Sequence, residues 1–233
     1  MAHDATSTVH DAVPQTSLTA AEVFDAVGAK YEDAFAGLAT QLASINWLLD
    51  LLPPASSIVD VGCGTGRPVA SGLAAAGHAV LGIDVSPEMI RIAQDRVPDA
   101  RFELLDARTF IAREDEASWD AVTVYFSLIA DVSQADIHSI LAGLAHVLRP
   151  GGLFVWSTVA LDAENAAIRW MGQPVTVSSL APEECVAAVR EAGLEVVTSE
   201  TSVFTPRAVE VGLCSPDEVW EEPHIFIYAR KPI

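Results

Sequence analysis

The spacing of hydrophobic and polar residues changes near residue 57 and divides the chain into two parts. In the first part, Thr19 and Glu22 have the spacing of a capping box, which predicts a short helix. The next stretch, "EDAFAGLATQLASINWLLDLL", has apolar residues at helical spacing and predicts one continuous helix that Pro53 ends. Residues 1–17 are polar and aperiodic and predict a flexible tail.

After residue 57, short apolar runs alternate with helical patterns. The runs read as strands are "SIVDVG", "AVLGID", "ARFELLD", "WDAVTVYFSL" and "LFVWST". This alternation predicts an α/β fold with a parallel sheet and helices on both faces. A polar excursion over 160–180 then precedes one more helix and two strands, "LEVVTSETSVF" and "HIFIYARK", joined by a long loop.

Three closely spaced glycines follow the first of these strands. Gly62, Gly64 and Gly66 form G-x-G-x-G, and Arg67 stands where a dinucleotide-binding turn would carry its third glycine. No G-K-[ST] follows, which excludes a phosphate-binding loop of the ATPase type. Asp84 ends the second strand, where a carboxylate can accept hydrogen bonds from ribose hydroxyls. These residues predict a nucleoside-bearing cofactor without deciding which one.

The third strand narrows the choice of cofactor. Asp106 closes it, where an acceptor can meet the exocyclic amine of adenine, and Met89 and Ala107 could enclose the purine ring. The alternative for Met89 is packing in the core, because it lies at helical spacing from Ile92. Acidic residues that end buried strands are seldom there for packing, so a ligand is favoured for Asp84 and Asp106.

Taken together, the sequence resembles the class I S-adenosylmethionine-dependent methyltransferases. The matching stretches occur in family order: "VDVGCGTGRPVA", "LGIDVSPEMI", "FELLDA", "WDAVTVYFSLI" and "LRPGGLFVWST". The resemblance implies a Rossmann-like, seven-stranded, mostly parallel sheet whose antiparallel last strand lies beside the fifth. It also implies one domain over residues 18–233, with an N-terminal helical lid over 18–56.

The resemblance further implies a set of residues that bind S-adenosylmethionine and its product, S-adenosylhomocysteine. They are Tyr31, Asp60, Gly62, Gly64, Gly66, Asp84, Val85, Ser86, Met89, Asp106, Ala107 and Phe126. Ser127 would border the transferred methyl group. Tyr31 is equally compatible with simple packing of a lid helix.

The sequence is less specific about the residues that would bind the methyl acceptor. Large side chains predict Trp156, Trp170, Met171 and the 205–223 loop as walls for an uncharged or aromatic small molecule, although Trp156 could instead face the core. Methyl transfer is an in-line displacement that depends mainly on alignment, and it needs a base only for a protonated nucleophile. Many relatives carry histidine where this chain has Ala130, so His224 is the first candidate base and Asp131 the second.

Composition limits the partners. The formal net charge is -19, with 13 Lys+Arg against 32 Asp+Glu, which argues against a nucleic-acid partner. No signal peptide, long apolar run or metal-ligand spacing is visible, so we expect a cytoplasmic, metal-free protein that binds no membrane. The hypothesis is a small-molecule methyltransferase of secondary metabolism. The alternative is a cyclase that uses the same cofactor without transferring its methyl group, and a homodimer is left open.

Overall fold

The computed structural model of the chain describes residues 17–233. Its strands are β1 (Ser57–Val61), β2 (Ala79–Asp84), β3 (Arg101–Leu104), β4 (Trp119–Tyr125), β5 (Leu148–Val159), β6 (Ala163–Trp170), β7 (Gln173–Ser179), β8 (Glu195–Phe204) and β9 (Glu222–Arg230). Its helices are α1 (Ala20–Val27), α2 (Lys30–Ala34), α3 (Ala39–Leu51), α4 (Val69–Ala75), α5 (Pro87–Arg96), α6 (Ala107–Arg113), α7 (Gln134–Val147) and α8 (Pro182–Glu191). A 3₁₀ turn, Pro216–Glu218, interrupts the loop before β9.

Seven strands form one sheet in the order β3-β2-β1-β4-β5-β9-β8. Strand β9 runs antiparallel to both of its neighbours, while the pairs from β3 to β5 are parallel. The predicted fold class and the position of the antiparallel last strand beside the fifth are therefore confirmed. Because β9 is antiparallel, it begins at the edge where the parallel strands end, and His224 pairs with Val159 there.

Alternate residues of the central strands are buried in two hydrophobic layers. In β1, Ile58 packs in a cluster with α3, α4 and α5, whereas Val59 and Val61 pack with α6, α7 and α8 on the other face. A parallel sheet covered by helices on both faces requires apolar residues at both the odd and the even positions of its strands, which explains the continuous apolar runs in the sequence.

A third hydrophobic cluster lies over the carboxyl edge of the sheet. Val23 and Val27 of α1 pack there with Met171 and Val175 of the β6–β7 hairpin. We call α1, α2 and this hairpin the cap. Helix α3 belongs instead to the sheet core, where Leu48 is 0% exposed, so α1 and α2 are the parts of the predicted 18–56 lid that lie over the edge. The predicted tail lies, except for residue 17, outside the described residues.

The first helix has the capping box that the sequence predicts. The Thr19 hydroxyl accepts from Glu22 N–H at 3.3 Å, and Glu22 Oε2 accepts from Thr19 N–H at 2.9 Å. The prediction of one continuous helix after it was wrong. Gly37 adopts a positive φ of 84°, which breaks the segment into α2 and α3.

The hairpin β6–β7 replaces the excursion predicted for residues 160–180. A two-residue turn, Met171-Gly172, joins the strands, with φ of 51° and 76°. Positive φ at both positions matches the right-handed twist of a hairpin. The usual Asn-Gly signal is absent from this turn, and β6 is rich in alanine, so the local sequence gives little indication of a strand.

Candidate active site

The carboxyl ends of β1 to β4 border a cavity of about 210 Å³, which we call the strand-end cavity. Ligands of open α/β sheets bind at this edge. The predicted site residues that line the cavity are Tyr31, Gly62, Gly64, Asp84, Val85, Asp106, Ala107, Phe126, Ser127 and Asp131. Most of the predicted cofactor set is thus brought together at one edge of the sheet.

Two backbone amides hold the Asp84 carboxylate at the end of β2. Asp84 Oδ2 accepts from Gly64 N–H and Oδ1 accepts from Ser86 N–H, both at 2.9 Å. Burial raises the pKa of Asp84, while these amide hydrogen bonds act in the opposite direction. A carboxylate fixed in this way retains lone pairs that can accept from the two hydroxyls of a ribose.

The glycines after β1 have different structural roles. A Cβ on Gly62 would lie 2.1 Å from the Cβ of Ser127, so Gly62 allows the turns after β1 and β4 to pack together. A Cβ on Gly66 would meet Phe102 at 3.1 Å, and Gly66 faces this packing instead of lining the cavity. Gly64 has a φ of 51° and open space where its Cβ would lie, which leaves its backbone bare at the cavity.

Asp60 lies one layer below the cavity wall. Its Oδ1 accepts from the Thr123 hydroxyl at 2.7 Å, and its buried Oδ2 has no hydrogen-bond partner among the described residues. Burial raises the pKa of Asp60 to about 7, and the neighbouring charge of Asp84 acts in the same direction. Two buried carboxyl groups under one cavity favour a cationic ligand above them.

Asp106 and Ala107 form the opposite end of the cavity. Asp106 begins α6 as its N-cap and accepts from Arg108 N–H at 2.8 Å. Ala107 and Val85 add apolar surface beside this carboxylate. An acceptor beside a small apolar slot suits the edge and faces of a purine.

Two predicted cofactor residues, Ser86 and Met89, do not line the cavity. Ser86 is fully buried as the N-cap of α5, where its hydroxyl accepts from Met89 N–H at 3.0 Å and donates to Asp25 at 2.6 Å. Met89 is 0% exposed, so the packing alternative holds for this residue. These side chains stabilise the turn that carries Asp84.

Polar contacts hold the cap against the elements that surround the strand-end cavity. Asp25 of α1 accepts from Ser86 and from Glu88 N–H at the start of α5. Glu32 of α2 forms an ion pair with Arg96 and accepts from the Thr65 hydroxyl at 3.1 Å. Both helices of the cap are therefore tied to the elements that form the strand-end cavity.

A second, smaller cavity of about 80 Å³ lies between the cap and β9. We call it the aromatic pocket, after the rings in its wall: Phe24, Tyr31, Phe35, Phe126, Trp170 and Trp220. Phe24, Tyr31, Phe126 and Ala130 also line the strand-end cavity. The two cavities therefore share a wall.

Glu222 is the acidic residue of the aromatic pocket. Its side chain is 4% exposed, and its Oε1 accepts from the Trp170 indole N–H at 3.0 Å. His224 Nε2 lies 3.0 Å from Glu222 Oε2. The pKa of Tyr31 is raised well above its usual value by burial, and further by the charges of Glu222 and Asp84. Tyr31 therefore lies within the electrostatic reach of both carboxylates.

The structure separates the two predicted bases from the aromatic pocket. His224 is 1% exposed, packs against Phe126 at a centroid distance of 4.5 Å and lines neither cavity. Asp131 lines the strand-end cavity and not the aromatic pocket.

Of the predicted acceptor residues, Trp170 alone lines the aromatic pocket. Trp156 is 1% exposed within the core cluster of α6, α7 and α8, because its position in β5 faces that helical layer. Met171 is 3% exposed and packs inside the cap. Of the two cavities, Ser127 lines only the strand-end cavity. The 205–223 loop reaches the pocket through Trp220 and Glu222.

Sequence reasoning missed Glu222. The signal available was its place in "WEEPHIF", at the start of a strand that runs antiparallel and so begins at the cofactor edge. An acidic pair before an apolar strand is ordinarily read as a solvated loop, and the burial of Glu222 depends on a tertiary contact with Trp170.

The order of the strands and the cavity at their carboxyl ends define an α/β fold with a candidate cofactor site. Residues 58–152 match the family model of a methyltransferase domain. The chain is 26% identical over 179 residues to the ubiquinone biosynthesis O-methyltransferase of Paracidovorax citrulli, covering 70% of this chain and 73% of that protein. It is 33% identical over 156 residues to the 27-O-demethylrifamycin SV methyltransferase of Amycolatopsis mediterranei, covering 61% and 55%.

Among solved structures, the cyclase SpnF superposes with a TM-score of 0.64 at 19% identity, covering 95% of this chain and 98% of that one. At this identity the likeness shows the fold. The matched methyltransferase domain and these relatives support a class I S-adenosylmethionine-dependent methyltransferase, an enzyme of the methyltransferase class.

The strand-end cavity fits the cofactor of this family. S-adenosylmethionine carries a ribose, a purine and a sulfonium cation; the cavity offers Asp84 and the slot beside Asp106, and the buried Asp60 carboxyl lies below its wall. Within residues 17–233, no group of three His, Cys, Asp or Glu side chains is arranged to hold a metal ion. In the same residues, no helix is long and apolar enough to cross a membrane.

Proposed function

We propose that this enzyme transfers a methyl group from S-adenosylmethionine to a small molecule whose body is apolar and which binds in the aromatic pocket. The observation that carries the proposal is the wall shared by the two cavities at Tyr31 and Phe126. A group held in the aromatic pocket would face a cofactor held at the strand ends across these two rings.

The residues of the strand-end cavity have separate roles in this proposal. Asp84 accepts hydrogen bonds from the ribose, and Asp106 with Val85 and Ala107 binds the adenine. The bare backbone at Gly64 lies against the methionine portion. When bound, S-adenosylmethionine supplies a methyl group activated by a positively charged sulfur.

The chain itself contributes alignment and exclusion of water. Transfer from a sulfonium gains most from holding the nucleophile in line with the carbon–sulfur bond. Phe126 and Tyr31 would set that approach, and the polar contacts of Asp25 and Glu32 would hold the cap closed above it. No metal ion is needed for such a displacement, so we propose a metal-independent reaction with Ser127 beside the reacting groups.

The cellular setting is also part of the proposal. Cys63, Cys185 and Cys214 are all unpaired, which suits a reducing, cytoplasmic environment. The similarity to an enzyme named for rifamycin supports a role in secondary metabolism. The acidic composition supports a small molecule rather than a nucleic acid as the acceptor.

The cofactor part of the proposal is tested by ligand binding. S-adenosylmethionine and S-adenosylhomocysteine should raise the unfolding temperature, because a ligand at 100 times its Kd stabilises the native state by about 2.7 kcal/mol. NADH should have no effect. Asp84→Asn should weaken S-adenosylhomocysteine binding at least tenfold, while the exposed Asp95→Asn on α5 should leave it unchanged. Stabilisation by NADH alone would overturn the assignment.

Methylation and cyclisation are separated by labelling. Purified enzyme is incubated with methyl-labelled S-adenosylmethionine and an extract of the producing cells. Label that appears in a small-molecule product supports methyl transfer. Conversion of an acceptor without label would instead favour the cyclase.

A further inference from the structure

The aromatic pocket contains a buried acidic side chain with no fixed counter-ion. Within residues 17–233, no lysine or arginine lies within 4.0 Å of the Glu222 carboxylate, and His224 is its partner at 3.0 Å. A carboxylate that is 4% exposed has lost most of its hydration. Such a group is ordinarily paired with a cation.

His224 contacts Glu222 through one ring nitrogen. An ionised carboxylate has no proton to donate, so the His224 Nε2–H is the donor to Glu222. The other ring nitrogen, Nδ1, is buried and has no hydrogen-bond partner among the described residues. One ring nitrogen of His224 is thus committed to Glu222, and the other has no acceptor among the described residues.

The rings around Glu222 offer a second attraction for a cation. The ring centroids of Tyr31 and Phe35 each lie 6.4 Å from that of Trp170. A cation in a pocket of this size lies within reach of more than one ring, since cation–π attraction extends to about 6 Å from a centroid. Trp170 contributes twice, because its indole N–H also fixes the orientation of Glu222.

We propose that the acceptor of this enzyme is a cationic amine, with its ammonium group bound between Glu222 and the aromatic rings of the pocket. This inference rests on the proposed function and names the substrate class of the same site. A neutral acceptor would offer the Glu222 carboxyl no cation, and within residues 17–233 no lysine or arginine lies within 4.0 Å of it. The formal net charge of -19 adds a field that concentrates cations near the protein.

The proton balance of the reaction follows from these groups. The ammonium transfers one proton to the Glu222 carboxylate and becomes an amine with a free electron pair. That pair forms the new nitrogen–carbon bond as the carbon–sulfur bond breaks, and the electrons of the broken bond remain on sulfur as a thioether. The product is a methylated ammonium, and Glu222 returns its proton to water when the product leaves.

The test compares benzylamine, which is an ammonium ion at neutral pH, with benzyl alcohol, its neutral counterpart of similar shape. Each is titrated by ligand-observed NMR into enzyme saturated with S-adenosylhomocysteine. Benzylamine should bind at least tenfold more tightly to the wild type. Glu222→Gln should reduce this ratio to within about twofold, because the amide keeps the shape and removes the charge. The adjacent, exposed Glu221→Gln changes the net charge equally and should preserve the ratio.

The outcomes are distinguishable. If S-adenosylhomocysteine binds and the two probes bind equally to the wild type, or if benzyl alcohol binds better, the amine inference is overturned and the proposed function stands. If Glu221→Gln lowers the ratio as much as Glu222→Gln, the preference belongs to the overall field and the inference is also overturned. If S-adenosylhomocysteine does not bind, the proposed function itself fails. The wild-type comparison remains decisive even if Glu222→Gln does not fold.

Discussion

The buried carboxyl of Asp60 makes the stability of the protein depend on pH in a direction that can be stated in advance. Its folded-state pKa is raised to about 7, whereas an unfolded aspartate has a pKa of about 3.9. Between these values the folded state retains a proton that the unfolded state has lost. The stabilisation from this group is therefore complete below the unfolded pKa and is lost as the pH rises through about 7.

Replacing Asp60 by asparagine removes this titration and keeps the shape of the side chain. The Thr123 hydroxyl can still donate to the amide oxygen, as it does to Asp60 Oδ1 at 2.7 Å. With the two pKa values above, the wild type should lose about 2 kcal/mol of unfolding free energy between pH 5.5 and 8.5 through this one group. Asp60→Asn should lack that loss.

The measurement is urea unfolding across this pH range without cofactor, with the wild-type free energy subtracted from that of the variant. Groups that titrate alike in both proteins cancel in the difference, which should rise with pH. Asp136→Asn is the matched control. The pKa of Asp136 is lowered to about 2 by its hydrogen bonds to Ser133 and Arg108, below the range measured, so its difference should be flat. A flat difference for Asp60→Asn, or one that falls with pH, would refute the reasoning.

Three further substitutions test the cavity walls and the cap. Gly62→Ala should destabilise the fold by about 1–3 kcal/mol in urea unfolding, because its Cβ would lie 2.1 Å from that of Ser127, and adding Ser127→Gly should recover part of the loss. Glu32→Gln should loosen α2, costing up to about 1 kcal/mol locally, seen as faster amide exchange over Lys30–Ala34; unchanged exchange would contradict the contact with Thr65. Trp156→Phe should lower the free energy of unfolding by about 1–3 kcal/mol and leave the affinity for benzylamine unchanged. A loss of that affinity would indicate that Trp156 lines the aromatic pocket after all.

The cofactor side was more accessible to sequence reasoning than the acceptor side. Asp84 could be predicted because a carboxylate at the end of a buried strand has few structural explanations, and local pattern fixes where that strand ends. The resemblance supplied the place of β9, which no local signal encodes. Gly66 shows the limit, since spacing alone cannot tell a glycine that faces a ligand from one that faces a phenylalanine.

The aromatic pocket depends on contacts between segments that lie far apart in the sequence. Which face of β5 Trp156 occupies follows from the register with β4, which shifts between Trp119 and Ala121. The hairpin that carries Trp170 has a turn without the usual signal, so its place above β9 could not be foreseen. Glu222 becomes buried only when that tryptophan covers it.

The position of β9 between β5 and β8 also bears on how the molecule assembles as it leaves the ribosome. Residues 57–159 can pair their strands in the order in which they are synthesised, because each of β2 to β5 finds one neighbour among the strands already made. Strand β8 has no partner until residues 222–230 emerge and pair with it and with β5. Its unpaired edge is therefore exposed for the time needed to translate that interval. Nascent chains stalled there should be the form most prone to associate with one another or to recruit chaperones.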